Sequence, residues 1–241
     1  MSGSVALPGA RAVVVTGATG PTGRATCAAL LRRGDRVIAV GRDGESLAAL
    51  ASSLADEPID PHADHLLDTR VCDLLDGDAV QAFTADIVSE YDGIDALFHL
   101  VGGWRGGKTF TASTDDDWQW LSGNLVDTLR HTTLALHDSL LDSGRGRVAI
   151  VSAVAAATPT AGNAAYAAAK AAAETWLLAL ADSFATAEAT PGSAASIGVV
   201  RWIGTAAAAT TPEQVAAWLT GLLDADPAAL NGARTELWSQ A

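Results

Sequence analysis

The stretch V-V-V-T-G-A-T-G-P-T-G-R, Val13 to Arg24, decides the fold of this chain. Its three branched apolar residues at the start are typical of a strand buried on both faces of a parallel sheet. Three glycines then allow a tight turn, a close approach of the main chain to a phosphate and close packing of the next helix: Gly17, Gly20 and Gly23. Pro21 suits the first turn of that helix. The stretch predicts a nucleotide-binding turn, although ordinary strand-to-helix turns also show this spacing.

The rest of the chain alternates short apolar strands with amphipathic helices, which is the pattern of a parallel sheet. Strands are predicted at 12–15, 36–40, 69–72, 96–101, 147–151, 196–200 and 235–238. Helices are predicted at 21–33, 45–54, 76–91, 115–141, 164–186 and 212–223. We therefore expect an α/β fold in which helices cover both faces of a doubly wound, parallel, seven-stranded sheet. The 241 residues are expected to form a single domain.

The composition limits the partners and the compartment. A formal net charge of -13 argues against nucleic acid and anionic membranes, because both are polyanions. Cys27 and Cys72 lie within a predicted helix and strand, which disfavours a disulfide and fits a reducing compartment. Met1 to Ala10 has no charged segment followed by an apolar run, and no segment is long and apolar enough to span a membrane. A cytoplasmic protein is expected.

No metal site is predicted. His62 and His65 are three residues apart in a polar loop, but no further ligand lies near them in the sequence. The acidic run Asp115 to Asp117 follows Thr114 and is interpreted as the first turn of a helix, where the helix dipole favours negative charge.

The end of the second predicted strand reads V-I-A-V-G-R-D and bears on the cofactor. An acidic residue at this place binds a ribose 2'-hydroxyl, whereas arginine suits a 2'-phosphate. Gly41 leaves room there and Arg42 supplies the charge, with Arg24 as a second candidate; both arginines could instead be ordinary surface residues. Asp73, after the third strand, either reaches an adenine edge or caps a helix. NADP is the expected cofactor, with NADPH preferred over NADH.

Tyr166 and Lys170 form the third chemical feature, in the motif Y-A-A-A-K. Residues four apart on a helix share a face, so the phenol and the ammonium point into the same space. A nearby ammonium stabilises phenolate and thereby makes tyrosine a better acid or base near neutral pH.

With these motifs the chain resembles the short-chain dehydrogenase/reductase family over nearly its full length. The resemblance lies in T-G-A-T-G-P-T-G at 16–23, C-D-L at 72–74, A-L-F-H-L-V-G-G at 96–103, Asn124 and Y-A-A-A-K at 166–170. It implies a Rossmann fold and a nicotinamide cofactor. It also implies that Tyr166 donates a proton, that Lys170 binds the nicotinamide ribose and lowers the pKa of the tyrosine, and that Asn124 holds a relay water.

The candidate residues are therefore as follows. The catalytic residues are Tyr166, Lys170 and Asn124. The residues expected to bind the cofactor are Gly17, Thr19, Gly20, Pro21, Thr22, Gly23, Arg24, Gly41, Arg42, Asp73, Leu74, Val101, Gly102, Gly103, Tyr166 and Lys170. The residues expected to bind substrate are Trp104, Ala153, Arg201 and Trp202.

The chain departs from the family at several of these positions. Pro21 stands where the common pattern has glycine, and His99-Leu100-Val101-Gly102 replaces Asn-Asn-Ala-Gly. Ala153 occupies the position of the catalytic serine, thirteen residues before Tyr166, and Ser152 on a strand would face the other way. Arg201-Trp202 replaces Pro-Gly after the sixth strand, and the substrate-covering segment beyond Thr205 is short.

Within the family the chain resembles dihydropteridine reductase, which also has alanine at the serine position. V-G-G-W-R-G-G at 101–107 and T-P at 158–159 carry this resemblance. Trp104 would offer an aromatic face near the nicotinamide, or would pack in the core. Arg201 would bind an anionic group of the substrate or hold the tryptophan. Gly41-Arg42 departs from that enzyme's acidic NADH site, so neither its cofactor nor its substrate is transferred.

The sequence thus predicts an NADP(H)-dependent reductase that acts on a small substrate, with Tyr166 as proton donor. Without a serine hydroxyl, the expected targets are an imine-like or conjugated ring, or a carbonyl held by other groups. A non-catalytic NADP(H)-binding sensor or scaffold is the alternative, and an isomerase or lyase using the same tyrosine is a third possibility.

The fifth helix predicts the assembly. Alanine occupies eight of the ten positions from Ala164 to Ala173, so neighbouring backbones can approach closely, and Trp176, Leu177 and Leu180 extend an apolar face. In the family, two subunits join through the helices that correspond to 115–141 and 164–186. A homodimer or homotetramer is expected.

Overall fold

A computed structural model describes residues 10–55, 57, 66–187, 192–206 and 208–238. Its seven strands are β1 (Ala12–Thr16), β2 (Arg36–Gly41), β3 (Leu67–Val71), β4 (Ala96–His99), β5 (Arg147–Ala153), β6 (Ala194–Val200) and β7 (Arg234–Glu236). They pair in parallel in the order β3-β2-β1-β4-β5-β6-β7. The predicted fold class is confirmed. The order of the strands reverses between β1 and β4, where sheets of this kind bind ligands at the carboxyl ends of the strands.

The helices are α1 (Pro21–Arg33), α2 (Gly44–Ala55), α3 (Gly77–Tyr91), α4 (Asp115–Ser122), α5 (Thr128–Asp142), α6 (Ala164–Thr186), α7 (Pro212–Leu222) and α8 (Pro227–Leu230). A π-helical turn, Gly123–Asp127, joins α4 to α5, so the single predicted helix 115–141 has three segments. Thr114 accepts a hydrogen bond from the Asp117 N–H and begins α4 as the sequence predicts.

Two hydrophobic cores lie on opposite faces of the sheet. β1 shows how the chain divides between them, because Val14 packs with α3, α5 and α6, whereas Val13 and Val15 pack with α1, α2 and α7. Successive residues of a strand point to opposite faces, so a strand between two helical layers is apolar throughout. This is why an unbroken run of valines forms the central strand.

Three expectations from the sequence concern the two histidines of the polar loop, membrane spans and the homodimer. His62 and His65 lie outside the described residues. Among the helices that are described, none is both long and apolar enough to cross a membrane. Leu134 on α5 and Leu178 on α6 are exposed on the helices expected to join subunits, and the homodimer stays a prediction.

Candidate active site

The glycine turn lies at the carboxyl end of β1 and has an open side. Gly17 has a φ of +67°, and a Cβ there would lie 2.7 Å from the Leu100 carbonyl oxygen, so both its conformation and its surroundings require glycine. A Cβ at Gly23 would lie 2.3 Å from the Gly17 carbonyl oxygen, which explains the close packing of α1 on the turn. At Gly20 the nearest atom would be 3.5 Å away. The main chain is therefore bare on the side where a phosphate would approach the start of α1.

A cavity of about 250 Å³ opens beside this turn. It brings together ten of the predicted residues: Gly17, Thr19, Gly20, Gly41, Arg42, Asp73, Leu74, Val101, Gly102 and Asn124. Asp73 accepts a hydrogen bond from the Leu75 N–H, whereas Asp76 caps α3, so the helix-capping alternative for Asp73 is wrong. The residues present fit the adenosine half of a dinucleotide, because a side chain is missing at Gly41 and polar groups flank the gap.

The two candidate arginines, Arg42 and Arg24, have different surroundings. Arg42 is exposed at the cavity, and the neighbouring Asp43 is engaged with the N–H and hydroxyl of Ser46 instead of facing it. The guanidinium of Arg24 donates to Glu57 at 2.9 Å and to the Ser53 hydroxyl at 3.0 Å. Arg24 does not line this cavity but a neighbouring one that also contains Thr19 and Gly20, and its assignment to the cofactor stays a prediction. Pro21 and Gly23 likewise shape the turn without lining this cavity.

A second cavity, of about 600 Å³, shares Leu100, Val101 and Gly102 with the first. It contains the other predicted residues: Thr22, Gly103, Trp104, Ala153, Tyr166, Lys170, Arg201 and Trp202. The carboxyl ends of β4, β5 and β6 form its floor, and α6 closes one side. The two cavities together follow the carboxyl edge of the sheet across the point where the strand order reverses.

Tyr166 and Lys170 face this second cavity from α6. The Lys170 Nζ donates to the Val151 carbonyl oxygen at 2.7 Å and lies 6.0 Å from the centre of the Tyr166 ring. Burial lowers the pKa of Lys170 to about 8, and the charge of Glu174 partly opposes this. Burial raises the pKa of Tyr166, which is the opposite of the direction predicted from the lysine. Desolvation, which disfavours the charged phenolate, is the cause of this shift.

Asn124 lies in the π-helical turn, which the sequence did not predict. Its side chain donates to the Trp120 carbonyl oxygen at 2.8 Å, and its own carbonyl oxygen accepts from the Thr128 hydroxyl at 2.8 Å. One extra residue in a helical turn displaces carbonyl groups from their usual partners, and such turns are frequent at functional sites. The turn therefore sets the position of the Asn124 main chain beside the first cavity.

His99 also lines the second cavity, although the sequence did not single it out as a site residue. It is buried at the end of β4, with its Nδ1 2.9 Å from the Thr16 hydroxyl and its Nε2 3.1 Å from the Thr128 hydroxyl. Because Thr128 donates its only hydroxyl proton to Asn124, it must accept from His99, which places the imidazole proton on Nε2. Burial, followed by the charge of Lys170, lowers the pKa of His99 to about 3. A neutral histidine thus connects the glycine turn to the π-helical turn.

This burial makes a prediction about stability. The folded pKa of His99 is about 3 and the unfolded value is about 6.5, so protonation favours unfolding. The contribution of neutral His99 to the free energy of unfolding is complete above pH 6.5. It is lost as the pH falls towards 3, at about 1.4 kcal/mol per pH unit. His99→Asn keeps a polar side chain that does not titrate. Urea unfolding across this range should show a free energy of unfolding that falls more steeply for the native chain; parallel curves would contradict the assignment.

The serine position lacks a hydroxyl in the structure too. Ala153 ends β5 and lines the second cavity. The Ser152 hydroxyl is buried and has no hydrogen-bond partner within the described chain. Ser152 follows Ile150 on the face towards α6, and the alternation of the strand places Ala153 on the other face, as the sequence predicts.

The aromatic and cationic candidates lie at the mouth of the second cavity. Trp104 is 62% exposed, so the alternative that it packs in the core is wrong. Trp202 is 49% exposed. The Arg201 guanidinium lies 5.3 Å from the centre of the Trp238 ring, so it is held by that tryptophan and not by Trp104. Ile203 and Trp120, which the sequence did not single out, also line the cavities; Trp120 precedes Asn124 by one helical turn, a spacing that could have indicated it.

Comparison with known proteins shows which family this chain resembles. The model of the short chain dehydrogenase family matches residues 11–200. A 3beta-hydroxysteroid dehydrogenase of Mediterraneibacter gnavus is 33% identical over 114 residues, which are 47% of this chain and 39% of that protein. An uncharacterized oxidoreductase of Mycobacterium tuberculosis is 32% identical over 162 residues, which are 66% of this chain and 58% of that protein. The matched segments thus span less than two thirds of both relatives.

A solved structure gives the same fold over a longer range. The NADPH-bound short chain oxidoreductase from Pseudomonas aeruginosa PAO1, which contains an atypical catalytic center, superposes with a TM-score of 0.82 and covers 94% of both chains at 23% identity. At that identity the likeness shows the fold alone. None of these three proteins is named as a dihydropteridine reductase, so that resemblance stays a prediction. The family model, which covers most of the chain, establishes that this protein belongs to the short-chain dehydrogenase/reductase family of oxidoreductases.

Proposed function

We propose that the protein is an NADPH-dependent reductase that uses Tyr166 as its proton donor. One observation carries the proposal. The Tyr166–Lys170 pair faces a cavity of about 600 Å³ that continues, through Leu100 to Gly102, into the cavity beside the glycine turn. A dinucleotide bound along this path would have its adenosine beside Arg42 and Asp73 and its nicotinamide beside Tyr166.

Each residue of the site has a distinct task in this proposal. The nicotinamide, when bound, supplies the hydride. Tyr166 is protonated at neutral pH, and its phenol delivers that proton to the oxygen or nitrogen of the reduced double bond. Lys170 moves from the Val151 carbonyl towards the ribose or the phenolate that remains. The Asn124 carbonyl supports a water beside Lys170 through which the proton is replaced.

Ala153 restricts the substrates. With no hydroxyl at this position, Tyr166 alone polarises the substrate oxygen or nitrogen from this part of the site. A conjugated carbonyl or an imine-like group needs less polarisation than an isolated ketone. We therefore favour a conjugated substrate.

A sensor that binds NADP(H) without turnover is the second candidate, and Ala153 is the observation that favours it. The open cavity favours the enzyme over the sensor. Trp104 and Trp202 are exposed at its mouth and do not fill its interior, so a substrate has room beside Tyr166. The loss of NADPH absorbance with quinones, quinonoid pterins, cyclic imines and conjugated aldehydes tests the choice. A sensor would bind NADPH and oxidise it with none of them.

Arg42 is expected to set the cofactor preference. A charge-assisted contact to a 2'-phosphate favours NADPH over NADH by about 1 to 3 kcal/mol. Arg42→Ala should remove most of this difference and leave the NADH affinity nearly unchanged, as measured by titration calorimetry. Arg32→Ala is the matched control, because its guanidinium binds Glu57 and it is not a candidate for the cofactor site. Equal affinity of the native protein for both cofactors would show that Arg42 does not bind the phosphate.

A further inference from the structure

The mouth of the second cavity combines large apolar side chains in a way that is unusual for a protein surface. Trp104, Trp202 and Ile203 all line this cavity, and they are 62%, 49% and 40% exposed. Isolated exposed apolar residues are ordinary, but three around one opening next to a reactive tyrosine mark a binding surface. Indole rings offer flat faces, and a planar ligand gains most from them.

Arg201 adds a positive charge to the same opening. No aspartate or glutamate is among the described residues that line the cavity. Arg201 is exposed and forms neither an ion pair nor a hydrogen bond within the described chain; its contact is with the face of Trp238. The other cation, Lys170, is already bound to the Val151 carbonyl. The guanidinium is thus held in place with its hydrogen-bond donors available.

We propose that the substrate is a planar, conjugated carbonyl or imine compound that carries a carboxylate, with its ring against Trp104 and Trp202 and its carboxylate on Arg201. This inference rests on the proposed function and specifies its substrate class. Arginine binds carboxylates through two parallel N–H groups, which would fix the orientation of the ring as well as its charge. The reducible group would then point inwards to Tyr166.

The cofactor offers a competing anion. Thr22, at the start of α1, lines the same cavity, so Arg201 could serve the pyrophosphate instead. The glycine turn and the amino terminus of α1 already offer N–H groups that bind a pyrophosphate. Among the described residues that line the mouth of the cavity, no other cation is available to a substrate. The affinity for NADPH separates these two roles.

The experiment compares three aldehydes with NADPH: 4-formylbenzoate, its methyl ester, and the linear acid 5-oxopentanoate. The native protein should show a kcat/KM for 4-formylbenzoate about 10- to 100-fold above that for the ester, the effect of a hydrogen bond to a charged group. The linear acid, which has no ring, should react more slowly than 4-formylbenzoate. Arg201→Gln should remove the preference by raising KM for the acid alone, and Arg201→Lys should restore part of it.

Arg130→Gln is the matched control, because Arg130 lies 5.4 Å from the centre of the Trp176 ring but lines neither cavity. It loses the same charge and a similar contact, and should behave as the native protein does. The NADPH affinity should be equal in all four proteins. A weaker affinity for NADPH in Arg201→Gln would assign Arg201 to the cofactor and overturn the proposal.

A binding measurement distinguishes this inference from the proposed function. Calorimetry with unreactive 4-methoxybenzoate, in the presence of NADP, should detect binding that Arg201→Gln weakens by about 10- to 100-fold. Such binding without NADPH oxidation by these aldehydes or by the quinones, quinonoid pterins and cyclic imines named above would refute the reductase and retain the carboxylate site. Equal turnover of acid and ester, or failure of 4-methoxybenzoate to bind, would overturn the carboxylate site. The reductase would then still be tested by its own set of substrates, the quinones, quinonoid pterins, cyclic imines and conjugated aldehydes.

Discussion

Tyr166→Phe is expected to lower turnover by about 10² to 10⁴, the usual share of general acid catalysis, while NADPH binds as before. The substitution removes one hydroxyl and keeps the ring that α6 presents to the cavity. The native phenol is protonated at neutral pH and can donate, whereas phenylalanine has no proton to donate. Stopped-flow measurement of a single turnover would report the loss without interference from product release.

The control for this prediction is the chain's other tyrosine. Tyr91 donates its hydroxyl to Asp68 at 2.9 Å and lines neither of the two cavities of the site. Tyr91→Phe removes a hydroxyl of the same kind, so its turnover should stay within about twofold of the native value, since it lacks any contact with the reacting atoms. If Tyr166→Phe retains full turnover on a substrate that the native protein reduces, Tyr166 is not the acid.

Lys170→Met is expected to impair both catalysis and cofactor binding. The ammonium is buried beside the tyrosine, and its loss removes the group that would hold the ribose and stabilise the phenolate. A lost hydrogen bond to a charged group weakens NADPH binding by about 10- to 100-fold. Turnover at saturating NADPH should fall further, by about 10² or more, because the phenolate left after proton transfer has no positive partner.

The same substitution should not destabilise the fold at neutral pH. Burial lowers the folded pKa of Lys170 to about 8 from 10.5, so its charge is an unfavourable term below pH 8 that disappears as the pH rises towards 10.5. At pH 7 this term is at most about 3 kcal/mol. Lys170→Met should therefore be at least as stable as the native protein at pH 7, and its advantage should shrink as the pH approaches 10. Its control is Lys108→Met, which alters the exposed and only other lysine. A strongly destabilised Lys170→Met would indicate a structural lysine.

The sequence was sufficient for the fold because the strands are short and those in the middle of the sheet, β1, β2, β4, β5 and β6, are largely buried and apolar. The helix 21–33 coincides with α1, since Pro21 and Gly34 mark its two ends. The π-helical turn could not be predicted, because it has the same residue types as an ordinary helix and arises from the packing of Asn124 and Thr128 against β4. The motif A-L-F-H identified a strand, but the tautomer of His99 depends on three threonines distant in sequence.

The sequence predicted which residues line the candidate site better than it predicted where their side chains point. Arg24 and Arg42 look equivalent in the sequence, yet Glu57 binds one of them, and that pairing depends on how α1 and α2 pack. The pKa of Tyr166 was predicted from its neighbour at i+4, whereas burial decides its direction. Spacing along a helix gives proximity, but desolvation depends on the whole surrounding fold.

The most direct test of the central claim follows the hydride itself. NADPH carrying deuterium on both positions of its reactive carbon is incubated with the protein and with 4-formylbenzoate, cinnamaldehyde and a cyclic imine, whose reduced carbons retain the label, and the products are analysed by mass spectrometry. The account predicts a product that is heavier by one deuterium on the reduced carbon with at least one of these compounds, and little of this product from Tyr166→Phe. A protein that binds the labelled NADPH but transfers deuterium to none of them would contradict the assignment as a reductase.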